Sequence, residues 1–317
     1  MKNLKSTLFL TLALLITTIS NPAIAENSMS ITTGENSVSI NTGSKLLLRY
    51  PFRNVPFKPY VQQLFSPAGV NILRDAPVDH LHHHALMYAI KVDGVNFWEE
   101  TPTAGKQIHK SFTDVKTDAK TDVENDKRFE MRNAGFTELI DWITSKKELL
   151  LREHRTIDVC QGTDLGATLL TWQFKFELPE GTESATLTGS HYHGLGVRFI
   201  KSMDLTGTHL NADGKPGTVF RGDERLLRSK WCAYTANADG KPVTVAMFDH
   251  PQNPRHPATF FTMTKPFAYL SATLNLHKEP LKVVSDKPLV LRYALAVLDG
   301  KVENERIDEL YQHWTSK

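Results

Sequence analysis

Four of the thirteen histidines fall within five positions, in Asp79-His80-Leu81-His82-His83-His84. Imidazole changes charge near neutral pH, accepts or donates a proton and binds metal ions, so this cluster is where chemistry is first expected. An apolar run, Ala85 to Val92, leads from it to Asp93-Gly94 and then to Trp98-Glu99-Glu100. Asp-Gly between two apolar runs is a hairpin signal, because the turn needs the positive φ that Gly adopts freely. The histidines then stand at the entry of a buried hairpin, and Trp98 and the two carboxylates at its exit. A hairpin brings its ends together, which would join imidazoles, an indole and carboxylates in one place. His82 and His83 have opposite strand parity, so both can face one ligand only from a loop or bulge.

Two further stretches carry candidate groups. In Ser190-His191-Tyr192-His193-Gly194-Leu195-Gly196-Val197-Arg198 the two histidines share a face of an extended chain, and the glycines permit close approach of a ligand or another backbone. The third, Phe248-Asp249-His250-Pro251-Gln252-Asn253-Pro254-Arg255-His256-Pro257, leaves a strand for a loop stiffened by three prolines. Taken together, catalytic roles are expected of His80, His83, His193, Arg198, Asp249 and His250. Substrate contacts are expected of Trp98, Glu99, His191, Asn253, Arg255 and His256. His80, His82 and His83 are also the candidate ligands of a divalent metal, with iron, manganese and zinc all suited to imidazole donors. Such a metal would be lost below about pH 6, where imidazole protonates. The competing reading is structural: Asp249 and Asn253 would serve only turn amides, and Arg198 a salt bridge within a sheet.

The elements that must position these groups are strands. Ser37 to Asn41 and Lys45 to Tyr50 flank a Thr-Gly turn, and Phe136 to Ile143 and Glu148 to Val159 form a hairpin about Thr144 to Lys147. Leu169 to Leu178 alternates, with Leu170, Trp172, Phe174 and Phe176 on one face. Val243 to Phe248, Phe260 to Thr264, Tyr269 to Leu276 and Leu289 to Val297 continue the series, whereas polar Thr101 to Lys127 reads as a long surface loop. The one good helix is Asn304 to Trp314, with Ile307, Leu310, Tyr311 and Trp314 in helical register. The fold class is therefore all-β: a large antiparallel β-sandwich, of jelly-roll or mutarotase-like supersandwich type, with one C-terminal helix.

Residues 1–25 read as a signal peptide: a basic start, an apolar run from Thr7 to Ile19 and a small-residue cleavage pattern ending at Ala25. The expected product is an exported chain, periplasmic in a Gram-negative cell, with residues 26–317 forming one β-sandwich domain. Formal net charge is +2 for the whole chain, which includes the leader lysines. No basic stripe points to nucleic acid, and no later stretch approaches transmembrane length. With two cysteines, Cys160 and Cys232, a Cys-rich metal site is excluded, and whether they pair is open.

Several motifs occur in an order that resembles one bacterial family. They are Pro67-Ala68-Gly69, Asp79-His80-Leu81-His82-His83, Gly94-Val95-Asn96-Phe97-Trp98, Gly194-Leu195-Gly196-Val197-Arg198, Asp249-His250-Pro251-Gln252-Asn253-Pro254-Arg255-His256-Pro257, Arg292-Tyr293 and Asp299-Gly300. The resemblance is to the PmoA-like family, often labelled methane oxygenase, and it covers nearly all of residues 26–317. It implies a β-sandwich similar to sugar mutarotases and an association with sugar oxidoreductases and sugar-degrading proteins. This chain has His84-Ala85 where the family has Arg-Gly, so a ligand role for an Arg does not carry over and an imidazole is added.

The function expected first is that of an exported carbohydrate-active enzyme acting on a small sugar or keto-sugar. Histidines and carboxylates would be its acid and base, and Trp98, Trp142, Trp172 or Trp231 its stacking surfaces. A metal-dependent oxygenase or hydrolase and a non-catalytic sugar-binding protein are the alternatives. Methane offers no polar group to these residues, so the partner expected is a small polar molecule.

Overall fold

The computed structural model describes residues 28–124, 127–162 and 164–317; the expected leader, residues 1–25, lies outside them. The architecture is all-β, with four antiparallel sheets and one C-terminal helix. Its largest sheet runs in the order Thr208–Asn211, Trp231–Ala238, Lys241–Asp249, Leu289–Asp299, Ala167–Glu177, Leu149–Gly162, Lys127–Ile143 and Lys106–Glu124. A six-stranded sheet in the order Thr218–Arg221, Glu224–Arg228, Thr259–Met263, Tyr269–Thr273, Gly194–Arg198 and Leu86–Ala89 packs against its face.

Period-two burial makes this sandwich. Leu170, Trp172, Phe174 and Phe176 are fully buried on the inner face, and the Phe174 ring meets Tyr88 of the opposing sheet at 4.3 Å between centroids. The alternate residues of the large sheet face outward, and the helix Asn304–Thr315 covers them. Ile307, Leu310, Tyr311 and Trp314 pack on Leu169, Ala233, Ala246, Phe248, Ala294 and Ala296, and Trp314 Nε1 donates to Thr171 at 3.0 Å. Central strands are thus apolar on both faces, as in the stretch Tyr293 to Leu298, all of it buried.

Two smaller four-stranded sheets complete the fold. One holds Met29–Thr33, Ser37–Thr42, Lys45–Pro51 and Gln63–Leu64; the other holds Leu281–Val284, Ser184–Thr188, Lys91–Val92 and Val95–Asn96. The Asp93-Gly94 turn forms as expected, with φ of 47° and 81°, the positive pair a type I′ turn requires. Its arms are only two residues long, because Leu86–Ala89 departs to pair with Gly194–Arg198 in the six-stranded sheet. The polar segment expected as a loop is instead the strand Lys106–Glu124, paired along its length with Lys127–Ile143. It is the edge of the large sheet, with Ile108 and Val115 partly in solvent. An edge strand with little cover shows no apolar alternation, and charged residues suit it because they oppose edge-to-edge association.

Cys160 and Cys232 are not joined. They lie on strands of one sheet four inter-strand steps apart, close to 20 Å at about 4.8 Å per step, against the roughly 4–7 Å a disulfide spans.

A buried ionic network joins the N-terminal sheet to the sandwich. The fully buried Arg155 donates to Glu153 at 2.7 and 2.9 Å, to the Tyr50 hydroxyl at 3.0 Å, to the Pro59 carbonyl at 2.9 Å and to Gln107 at 2.8 Å. Trp142 Nε1 donates to Glu153 at 2.7 Å, and Tyr50 and His109 bond Glu138. A buried ion pair stripped of one partner leaves an uncompensated charge in the interior, at a cost of about 3–5 kcal/mol. Arg155→Ala should therefore lower unfolding stability in urea by about that amount; a loss below about 1 kcal/mol would show that Glu153 and Glu138 are held without it.

Candidate functional site

A cavity of about 350 Å³ opens beside the six-stranded sheet, within the roughly 300–1,000 Å³ usual for small-molecule sites. One wall is the histidine segment, with His80, His82 and His83; a second is Trp98 and Glu99. Tyr192, Arg221 and Glu224, with Phe261, Met263, Pro266, Phe267 and Tyr269, close the remainder.

Local backbone bonds explain how the histidines reach one space. Residues 77–83 form a closed loop: His80 N–H bonds the Pro77 carbonyl at 2.8 Å and His83 N–H the His80 carbonyl at 2.9 Å. Its ends meet where Ala76 N–H bonds the His83 carbonyl at 3.0 Å and Asp75 bridges His84. Strand parity no longer applies, so His82 and His83 share the cavity. Ring centroids of His80, His82 and His83 lie 4.6–5.9 Å apart. After the short hairpin, Asn96 Oδ1 accepts the Trp98 amide at 2.8 Å and turns the indole back toward them, 6.1 Å from His83.

The glycine-rich strand supports the opposite side. His193 stacks on Trp98 at 4.8 Å and 10°. Gly196 leaves room for Tyr269: a methyl group there would overlap the Tyr269 hydroxyl and approach the Trp98 ring to 3.3 Å. The close approach that glycine allows is thus made by a neighbouring side chain. His191 turns instead to Glu224 at 3.2 Å and stacks on Phe220. Arg198 lies behind the lining, its guanidinium 3.5 Å over the Phe267 ring and 3.7 Å from Asp79.

Burial favours the neutral form of His82, His83 and His193. Burial, with the neighbouring His82 and His80, pushes His83 down to about 2, and burial pushes His193 down to about 3. His82, only half-buried, is also lowered, by burial and by His80. Several buried polar atoms here have no partner among the described residues: His83 Nδ1, Trp98 Nε1, the Tyr269 hydroxyl, and Nε and Nη1 of Arg198. Such groups are uncommon in folded proteins, and a concentration of them in one wall marks a place built for something besides packing.

The imidazoles of His80, His82 and His83 do come together, yet among the described residues no three His, Cys, Asp or Glu side chains are set to hold a metal. His80 Nδ1 faces Asp79 at 3.0 Å, and the rings meet tilted or edge-on. Next, the Asp249 to His256 loop does not line this cavity; its polar groups bond within the loop and to the neighbouring segments. Asp249 accepts from Asn253, His256 and the Ala258 amide at 2.6–2.7 Å, Arg255 donates to the carbonyls of Leu274, Glu279 and Pro280, and His250 faces Arg292 at 3.4 Å. Last, Trp98, Trp142, Trp172 and Trp231 are all wholly buried, and of the four only Trp98 lines the cavity.

Sequence reasoning missed Tyr192, Arg221, Glu224, Phe267 and Tyr269. Tyr269 shares with Ser271 and Thr273 the polar parity of an expected strand, opposite Leu270 and Ala272, so its face was readable; its neighbour across the sheet was not. His84, the added imidazole, points away from the cavity to Asp75 and Glu100.

Fold and site together define a β-sandwich protein with a histidine-lined cavity on one sheet. The chain belongs to DUF6807, a family of unknown function, whose model matches residues 37–312. No curated protein matches the sequence. Among solved structures, the α-galactosidase of Lactobacillus brevis is similar with a TM-score of 0.44 at 6% identity, over 90% of this chain and 41% of that one. A family 36 α-galactosidase of Geobacillus stearothermophilus gives 0.48 at 11% identity, over 86% and 41%. A galactose mutarotase related enzyme of Lactobacillus acidophilus gives 0.29 at 8% identity, over 86% and 100%. The chain spans about two-fifths of the galactosidases' length.

The depressed histidines set a pH dependence. Unfolded, His83 and His193 take up protons near pH 6.5; folded, they do so only far lower. The unfolded chain therefore binds more protons below pH 6.5, and stability falls as pH drops through that window, by up to about 1.4 kcal/mol per pH unit per group. The His83→Asn/His193→Asn double variant should lose less stability between pH 7 and about pH 5 than the parent in parallel urea titrations; equal slopes would show that neither imidazole is held neutral.

Proposed function

We propose that the cavity binds a small sugar or its oxidised keto form and acts on it by proton transfer. The observation that supports this most is the grouping of neutral imidazoles with the carboxylates of Glu99 and Glu224 and the aromatic surfaces of Trp98, Tyr192 and Phe267. A sugar ring offers an apolar C–H face to aromatic groups and hydroxyls to carboxylates and imidazoles. His82 is the base: it is partly exposed and only moderately lowered, so it remains neutral and able to accept a proton near pH 7. His83, pushed to about 2, is too weak a base and serves as a hydrogen-bonding group. Arg198, 3.5 Å over Phe267, adds a positive field that favours charge developing on a carbonyl oxygen. Read as an export leader, residues 1–25 would deliver this site to the periplasm of a Gram-negative cell.

A non-catalytic sugar-binding role is favoured by one observation, the weakness of His83 as a base. The two readings separate in a single series. Thermal-shift screening of sugars, uronic acids and keto-sugars, with and without iron, manganese and zinc, should reveal a mono- or disaccharide that raises the melting temperature, and Glu99→Gln should reduce that shift. In D2O the wild type should exchange the hydrogen beside a keto-sugar carbonyl, and His82→Asn should slow exchange by about 10²-fold or more. Binding without exchange would leave the binding role; no shift with any carbohydrate would remove both.

A further inference from the structure

His84 follows His83 in the chain but faces the other way, into a buried group of charges. Its Nδ1 lies 2.9 Å from Asp75 Oδ1 and its Nε2 2.9 Å from Glu100 Oε1. A carboxylate offers only lone pairs to these contacts, so each requires an N–H on the ring, and the ring is an imidazolium. Lys58 Nζ reaches the same Glu100 oxygen at 2.8 Å and the Trp98 carbonyl at 3.4 Å. Tyr60 and Gln62 donate to Asp75 Oδ2 at 2.7 and 3.0 Å, and the Tyr60 ring packs 4.6 Å from the imidazole. Two cations thus face two carboxylates. On the cavity side the neighbouring titratable groups are His82, His83 and Glu99.

The two carboxylates belong to the two walls. Asp75 and His84 close the base of the histidine loop, and Glu100 ends the segment that presents Trp98 and Glu99. We propose that His84 is a positioning residue whose two ring N–H groups clamp the histidine loop to the Trp98–Glu100 segment. A side chain without two opposed donors at this position would leave either Asp75 or Glu100 without its bond. The part of this role that concerns binding rests on reading the cavity as a ligand site; the proton state of His84 does not.

Burial pulls His84 down, but its bonds to Asp75 and Glu100 outweigh that and hold it above the ordinary imidazole range. Against burial, His84 likewise holds both carboxyls below the usual carboxylate range, with Gln62 and Tyr60 on Asp75 and Lys58 on Glu100.

The test is nuclear magnetic resonance on the full chain, labelled with ¹⁵N at histidine and tryptophan and studied without sugar. At pH 7 both ring nitrogens of His84 should carry a proton. His84→Arg, which keeps several donors, should hold the Trp98 indole resonance in its wild-type position. His84→Gln, which lacks two opposed donors, should displace it; if that variant does not fold, the wild type and His84→Arg still decide. A single N–H on His84 at pH 7, or a Trp98 resonance indifferent to His84, would overturn the proposal. Failure of every sugar to bind would remove the proposed function and leave these readings intact.

Discussion

The guanidinium of Arg155 is the point on which the site's geometry depends. It holds the Pro59 carbonyl at 2.9 Å in the middle of the core, and the residues on either side of Pro59 are Lys58 and Tyr60. Lys58 runs to Glu100 and the Trp98 carbonyl, Tyr60 to Asp75, and both carboxylates converge on His84. A segment with little regular structure is thereby tied at its centre to the large sheet and through its neighbours to both cavity walls. The Phe57 carbonyl also accepts the Gln107 amide at 2.8 Å, so strand Lys106–Glu124 shares in the restraint. Buried charge of this kind contributes little net stability compared with apolar packing, but it tolerates few alternative arrangements.

The same low-polarity interior acts in opposite senses on adjacent residues. His83 has aromatic and imidazole neighbours and is kept neutral, while His84 has two carboxylates and is kept charged. Burial disfavours charge at both positions; only the partners differ. A single peptide bond separates a group suited to uncharged hydrogen bonding from one suited to electrostatic restraint.

Much of the fold was legible in the sequence, because a half-buried strand must alternate. Leu170 to Phe176, the Thr144 to Lys147 turn and the helix from Asn304 all followed from local periodicity. Lys106–Glu124 did not, since an exposed edge strand has no apolar face to alternate. The short hairpin at Asp93-Gly94 was half legible: turn chemistry is local, but the exchange of Leu86–Ala89 into another sheet depends on a partner more than one hundred positions away. In the site, the histidine cluster and Trp98 were readable from residue type, whereas Glu224 and Phe267 carry no distinctive spacing. The Asp-His-Pro-x-Asn-Pro loop drew attention for its ionisable groups, which turn mostly to its own backbone and side chains.

Gly196 and Tyr269 occupy one volume between them. Because any side chain at position 196 would take the space of the Tyr269 hydroxyl, the two positions form a single unit of variation. An enlarged residue at 196 is accessible only after position 269 has become smaller, and the reverse order passes through an overlapped intermediate. Change in this cavity wall is therefore directional.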